Sequence, residues 1–121
     1  MILVTGSSPG EGKTTTAVNL AATLASLGSR VILVEADLRR PVLSRFFNVK
    51  ADNGVVSVLI DRADLDDSIA YSMIGGHRIV LVLAEADFRD GWVTDLFSTD
   101  SADEMIRRLR SMADYGVVAS P

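Results

Sequence analysis

The fold of this chain is decided by the stretch Thr5-Gly6-Ser7-Ser8-Pro9-Gly10-Glu11-Gly12-Lys13-Thr14-Thr15. It follows the apolar run Met1-Ile2-Leu3-Val4 and precedes a long pattern of alanine and leucine. The order strand, glycine-rich loop, helix predicts backbone N–H groups that hold phosphate oxygens at the positive end of the helix. Lys13 adds a charge for the β and γ phosphates, and the Thr14 hydroxyl is placed for Mg²⁺. A strict G-x-x-x-x-G-K-[ST] motif would have Gly at position 7, where this chain has Ser7.

Two carboxylates follow the second apolar run. Val31-Ile32-Leu33-Val34 is typical of a strand that is buried on both faces of a parallel sheet. Glu35 and Asp37 come directly after it, and strand residues two apart point to the same side. Because open α/β sheets bind ligands at the carboxyl ends of their strands, we predict that both acids face the phosphate loop. The alternative is that they cap the strand and are solvated.

These two motifs resemble those of the bacterial protein-tyrosine kinases of capsule and exopolysaccharide synthesis. The first is Ser8-x-Gly10-Glu11-Gly12-Lys13-Thr14, with Pro9 inside it. The second is Ile32-Leu33-Val34-Glu35-Ala36-Asp37-Leu38-Arg39-Arg40-Pro41, which is similar to the family's apolar run followed by Asp-x-Asp-x-Arg, with Glu35 in place of the first Asp. The related partitioning and division-site ATPases usually have a signature lysine where this chain has Pro9, which favours the kinase branch.

The resemblance implies a site that binds ATP and Mg²⁺. Its cofactor-binding residues would be Ser8, Pro9, Gly10, Glu11, Gly12, Lys13, Thr14 and Thr15. Its metal-organising residues would be Thr14, Asp37 and Glu35, and its catalytic residues Lys13, Asp37, Glu35 and Arg39. The implied reaction is transfer of the γ-phosphoryl group to protein tyrosine, on the chain itself or on another protein.

The resemblance also implies partners. It implies self-association into a homo-oligomer and a membrane-embedded activator protein. A cytoplasmic location is expected, at the inner face of the membrane when that activator is bound, since Met1 leads into the first strand without a basic segment.

Two departures from the family pattern leave alternatives open. The last apolar run, 115–119, is similar to the strand that ends in the family's Walker B aspartate, but Ala119 stands at that position. The resemblance covers only the first half of the family domain, so we expect the chain to be the N-terminal part of a longer one. The alternatives are an ATPase switch of the partitioning type and a catalytically degenerate ATP-binding module.

Composition limits the number of domains and the kinds of binding partner. The 121 residues, 48% of them hydrophobic, predict one domain over 1–121 that buries a core. The first 60 residues carry six basic and four acidic groups, and the remainder six basic and twelve acidic. No basic stripe with interleaved aromatic residues is present, so we do not expect nucleic acid as a partner.

The expected architecture is α/β, a P-loop NTPase-like parallel sheet with helices on both faces in three layers. Strands are predicted at 1–5, 31–35, 78–84 and 115–119, and a first helix over 13–27 that ends at Gly28. A short helix is predicted over 42–47, and the family resemblance predicts another from Gly54, where propensity alone favours a strand. Residues 61–77 are predicted to form a connecting loop, as are 85–99 with a helical turn near 92–97. Ser101 and Glu104 predict the start of a last helix.

Overall fold

The computed structural model of the chain describes residues 2–4, 11–36, 43–49, 53–60, 62–84 and 100–119, with the backbone alone for 2–4 and 11–14. The elements in these ranges are, in chain order, β1 (Ile2–Val4), α1 (Glu11–Ser26), β2 (Val31–Glu35), α2 (Leu43–Phe46), α3 (Val55–Leu59), a 3₁₀ turn (Leu65–Ser68), β3 (Ala70–Ile74), β4 (His77–Val82), α4 (Asp100–Met112) and β5 (Tyr115–Ala119). The predicted loop and helical turn within 85–99 lie outside the described residues.

The strands form one sheet in the order β1-β5-β2-β4-β3. The pairs β1–β5, β5–β2 and β2–β4 are all parallel. β2 lies at the centre and is buried along its whole length, which is why its sequence is continuously apolar up to Glu35. The predicted α/β class is confirmed, and the four predicted strands are confirmed as β1, β2, β4 and β5.

The prediction that residues 61–77 form a loop was wrong. Residues 65–68 form the 3₁₀ turn, and residues 70–74 form β3, which pairs antiparallel with β4. Gly75 and Gly76 connect the two strands with φ angles of 57° and 82°. Two central residues with positive φ give the tight turn whose twist suits a hairpin, and glycine adopts it without steric cost.

Helix α1 lies against the sheet on a stripe of small residues. Ala17, Ala21 and Ala25 recur every four residues and are almost fully buried. The helix ends as predicted at Gly28, which has a φ of 88°. The Gly28 N–H donates to the Ala25 carbonyl, and the Ser29 N–H donates to the Leu24 carbonyl. This pair of bonds is the Schellman arrangement, which satisfies carbonyls at the end of a helix.

Two clusters of buried side chains cover the two faces of the sheet. One face packs against α1 and Leu43 of α2, and the other packs against α3, the 3₁₀ turn and α4. The predicted three layers are therefore present. The short helices predicted at 42–47 and after Gly54 are confirmed as α2 and α3. In α3, burial of Val55, Val56 and Leu59 overrides the strand propensity of its valines.

The last predicted helix is confirmed as α4. Met105 and Leu109 are buried on its inner face, and Ile106 and Met112 pack beside them. The helix begins at Asp100, so Ser101 lies in its first turn. The Glu104 carboxylate forms an ion pair with Arg107, one turn further along the exposed face.

Candidate functional site

The carboxyl ends of the parallel strands define the candidate site. Residues 5–10 connect β1 to α1, and α1 begins at Glu11. Helix α1 lies against β1, β2, β4 and β5, and only six residues separate it from the carboxyl end of β1, so its amino end lies at the carboxyl edge of the sheet. The amide dipoles of a helix give this end a partial positive charge. The position is the one that a phosphate loop requires.

Glu35 is the last residue of β2, and its side chain is 1% exposed. The Leu43 N–H donates to Glu35 Oε2 at 2.9 Å, and the Ala84 N–H donates to Oε1 at 3.0 Å. Leu43 begins α2, and Ala84 follows the end of β4. One buried carboxylate thus binds two backbone segments that are distant in sequence.

Ala119 lies beside Glu35 at the same edge. It is the register partner of Glu35 on β2 and of Val4 on β1. The Ala36 N–H donates to the Ala119 carbonyl at 2.8 Å. Ala119 is 7% exposed and packs in the cluster under α1. A methyl group offers no ligand, so the position that would hold the Walker B carboxylate contributes packing and one backbone acceptor.

The structure describes only part of the predicted site. Glu35 and Ala119 are described in full and are brought together. Glu11, Gly12, Lys13 and Thr14 lie in the first turn of α1, where the backbone alone is described, and Thr15 follows with an exposed side chain. Ser8, Pro9, Gly10, Asp37, Arg39 and Arg40 lie outside the described residues. In the part of the chain that is described, no three His, Cys, Asp or Glu side chains are grouped to share a metal ion.

Sequence reasoning missed two groups that bind Glu35, the backbone N–H groups of Leu43 and Ala84. The N–H groups of Leu43 and Ala84 belong to the backbone, so the residue types at positions 43 and 84 do not predict these contacts. One indirect signal was available. A glutamate at the end of a fully apolar strand would be buried, and a buried charge must find hydrogen-bond partners.

A cavity of about 360 Å³ lies on the other face of the sheet, between the 3₁₀ turn and α4. Its charged lining residues are Asp64, Asp100, Glu104 and Arg108. Three carboxylates and one guanidinium would repel a triphosphate more than they attract it. This cavity is therefore a poor candidate for the nucleotide.

Within the described ranges, no helix is both long and apolar enough to span a membrane.

The fold and the position of α1 define a P-loop-type nucleotide-binding domain: a mostly parallel sheet whose first strand leads through a short glycine-rich connection into a helix on its face. The family model described as "CobQ/CobB/MinD/ParA nucleotide binding domain" matches residues 2–119. The chain belongs to this family.

Named relatives confirm the resemblance to bacterial tyrosine kinases. The tyrosine-protein kinase CpsD of Streptococcus pneumoniae is 33% identical over 119 residues, which are 98% of this chain and 51% of that protein. The structure of the BceF tyrosine kinase domain matches with a TM-score of 0.82 and 31% identity, over 99% of this chain and 46% of that one.

A third similarity is to the septum site-determining protein MinD from Pyrococcus horikoshii OT3, solved in complex with Mg-ADP. It has a TM-score of 0.78 and 25% identity, over 98% of this chain and 47% of that one. The chain thus spans about half the length of these relatives.

Proposed function

We propose that this chain is the phosphate-binding part of an ATP- and Mg²⁺-dependent protein-tyrosine kinase domain of the capsule and exopolysaccharide type. One observation carries the proposal: similarity to a named tyrosine-protein kinase extends over 98% of the chain and so includes both site motifs. The position of α1 supports it, because the helix begins at the carboxyl edge of the sheet, where β2 ends with Glu35.

In this proposal the loop amides of residues 8–14 and the Lys13 ammonium bind the phosphates of ATP. The Thr14 hydroxyl and the Asp37 carboxylate would hold Mg²⁺, which prefers oxygen ligands of this kind. Bound there, Mg²⁺ would neutralise charge on the β and γ phosphates. Glu35 adds a negative charge at the same edge of the sheet.

The transfer step needs a base and a stabiliser of charge. The tyrosine Oη forms a bond to the γ phosphorus while the bond from that phosphorus to the bridging β–γ oxygen breaks, and ADP leaves. Asp37 would accept the phenolic proton. Arg39 and Arg40 would stabilise the charge on the transferred group or bind the acceptor protein.

Ala119 lowers the expected activity. Loss of a carboxylate that orients a metal ligand typically reduces metal affinity or activity about 10- to 100-fold. We therefore expect slow transfer and a requirement for high Mg²⁺ concentration.

The proposed partners follow from the kinase assignment. They are a protein tyrosine substrate, further copies of this chain, and a membrane-embedded activator that would hold the domain at the cytoplasmic face of the membrane. Co-purification of the full-length gene product with membranes only when such an activator is co-expressed would support this arrangement. Equal membrane association without the activator would contradict it.

Phosphoryl transfer is the test of the proposed function. The full-length gene product is incubated with γ-³²P-labelled ATP and Mg²⁺, and label on tyrosine is identified after acid hydrolysis. We expect labelled phosphotyrosine in the wild type, none in Lys13→Met, and wild-type labelling in Lys50→Met. Absence of label on tyrosine in the wild type would refute the kinase assignment.

A second candidate function is an ATPase switch, favoured by the similarity to MinD solved with Mg-ADP. It predicts phosphate release that rises with protein concentration as dimers form, without phosphotyrosine. The third candidate, a degenerate binding module, is motivated by Ala119. It predicts Mg²⁺-dependent ATP binding by calorimetry with no turnover by either assay.

A further inference from the structure

Two hydrogen bonds of Glu35 join three segments at the edge of the candidate site. We call the Glu35 carboxylate with the backbone amides of Leu43 and Ala84 the Glu35 clasp. One bond joins the end of β2 to the start of α2. The other fixes the backbone directly before residue 85.

The carboxyl group of the Glu35 clasp is buried, which makes its hydrogen bonds to protein groups important. Glu35 is 1% exposed, so its carboxyl oxygens are hydrogen-bonded by protein groups in place of water. A carboxylate that accepts backbone N–H bonds forms hydrogen bonds about twice as strong as those between neutral groups. Distances of 2.9 and 3.0 Å are normal for such bonds.

Neighbouring backbone bonds extend this network along the edge. The Ala36 N–H donates to the Ala119 carbonyl at 2.8 Å, which joins the end of β2 to the end of β5. The Val55 N–H donates to the Leu83 carbonyl at 2.8 Å, which joins the end of β4 to α3. The clasp therefore joins the end of β2, through a side chain, to an edge whose other described connections are these two backbone bonds.

We propose that Glu35 is a positioning residue. It fixes the backbone at Leu43 and at Ala84, both at the carboxyl edge of the sheet, and it acts on phosphoryl transfer through the geometry of that edge. This inference rests on the proposed function, and it assigns to the glutamate a role that an aspartate could not fill. Aspartate is shorter by one carbon–carbon bond, about 1.5 Å, so it would not reach both amides without movement of the backbone.

The length of the side chain gives the discriminating experiment. Glu35→Asp restores the residue type of the resembling kinases and keeps the charge. A direct metal-organising role predicts equal or higher activity in this variant. The clasp predicts a loss, because at least one of the two amide bonds breaks.

The first measurement is amide hydrogen exchange on the ¹⁵N-labelled full chain. In the wild type we expect the Leu43 and Ala84 amides to exchange at least 100-fold more slowly than unstructured peptide. In Glu35→Gln, which has a single carbonyl acceptor, one of the two amides should exchange at least 10-fold faster. Rapid exchange of both amides in the wild type would overturn the proposal, whether or not the chain is a kinase.

The second measurement separates positioning from stability. In Glu35→Gln and Glu35→Asp we expect kcat for tyrosine phosphorylation to fall at least 10-fold, with KM for Mg·ATP within about threefold of wild type. Glu104→Gln, an exposed glutamate on α4, controls for charge, and Ile106→Ala controls for lost thermal stability; both should keep wild-type kcat below their melting temperatures. Unchanged kcat in Glu35→Asp, or a change confined to the Mg²⁺ requirement, would overturn the positioning role. If the wild type transfers no phosphate, the proposed function fails while the exchange measurement still decides whether the clasp exists.

Discussion

Restoring a carboxylate at position 119 should destabilise this chain in the absence of metal. Ala119 belongs to the cluster under α1, and it is the register partner of Glu35 on the neighbouring parallel strand. Successive residues of a strand alternate between the two faces of the sheet, so Glu35 lies on the same face as Leu33, which also belongs to that cluster. Ala119→Asp would therefore place a second carboxylate beside one that is already buried. Ala119→Asn has the same shape without the charge. The difference in the free energy of unfolding between the two variants therefore measures the repulsion between the two carboxylates.

The structure sets the size of this difference. Neighbouring strands lie about 4.8 Å apart, and the Glu35 carboxylate leans toward β4 because it binds the Ala84 amide. The two carboxylates would then be about 5 to 7 Å apart. At an effective dielectric constant of about 20, two like charges at that separation repel by about 2–3 kcal/mol.

Urea unfolding at pH 7 in EDTA measures this difference. We expect the free energy of unfolding of Ala119→Asp to lie about 2–3 kcal/mol below that of Ala119→Asn. Burial and the like charge raise the pKa of the new carboxyl above its unfolded value, so the difference should shrink as the pH falls and the group is protonated. Mg·ATP should also reduce it, if the metal binds at this edge. Equal stability of the two variants at pH 7 without metal would refute the placement of position 119 beside a charged Glu35.

Further predictions concern the core and the base of the sheet. Met105→Ala should lower the free energy of unfolding by about 2–5 kcal/mol, because Met105 is 2% exposed. Met73 is 58% exposed, so Met73→Ala should change the free energy of unfolding by less than about 0.5 kcal/mol. Equal losses in the two variants would contradict the assigned burial. Asp114 accepts hydrogen bonds from the Arg30 backbone N–H and guanidinium, which hold its pKa below the ordinary value of 3.8. A carboxyl with a lowered folded pKa stabilises the fold above its unfolded pKa, and the effect disappears as the pH falls through the folded pKa. Asp114→Asn should therefore be less stable than wild type at pH 7 and lose that deficit below about pH 4, and a deficit independent of pH from 7 to 3 would contradict this origin.

The parallel part of the fold could be predicted because its signals are local. A continuous apolar run such as 31–34 indicates a buried parallel strand, and Gly28 marks the end of the helix before it. β3 could not be predicted in the same way. Only alternate residues of this edge strand are half-buried, and Tyr71 and Met73 face solvent, so its apolar pattern is weak. Gly75-Gly76 is a hairpin signal, but it was interpreted as part of a loop.

The sequence motifs predicted where the candidate site lies, but they did not predict which groups contact Glu35. The loop motif and the run that ends at Glu35 placed the site at the carboxyl edge, where α1 begins. What Glu35 contacts depends on where α2 and the end of β4 lie in space. Such backbone partners leave no mark in the sequence, because every residue type except proline offers the same N–H group.

Binding of Mg·ATP to the full chain tests the central claim most directly, because every role proposed above requires a phosphate cradle beside Lys13. Isothermal titration calorimetry is carried out on the wild type, on Lys13→Ala, and on Lys50→Ala as the matched control. We predict Mg²⁺-dependent binding in the wild type and in Lys50→Ala, and binding weaker by about 10- to 100-fold in Lys13→Ala, as expected for loss of a hydrogen bond between charged groups. No binding in the wild type, or equal binding in all three proteins, would contradict the account.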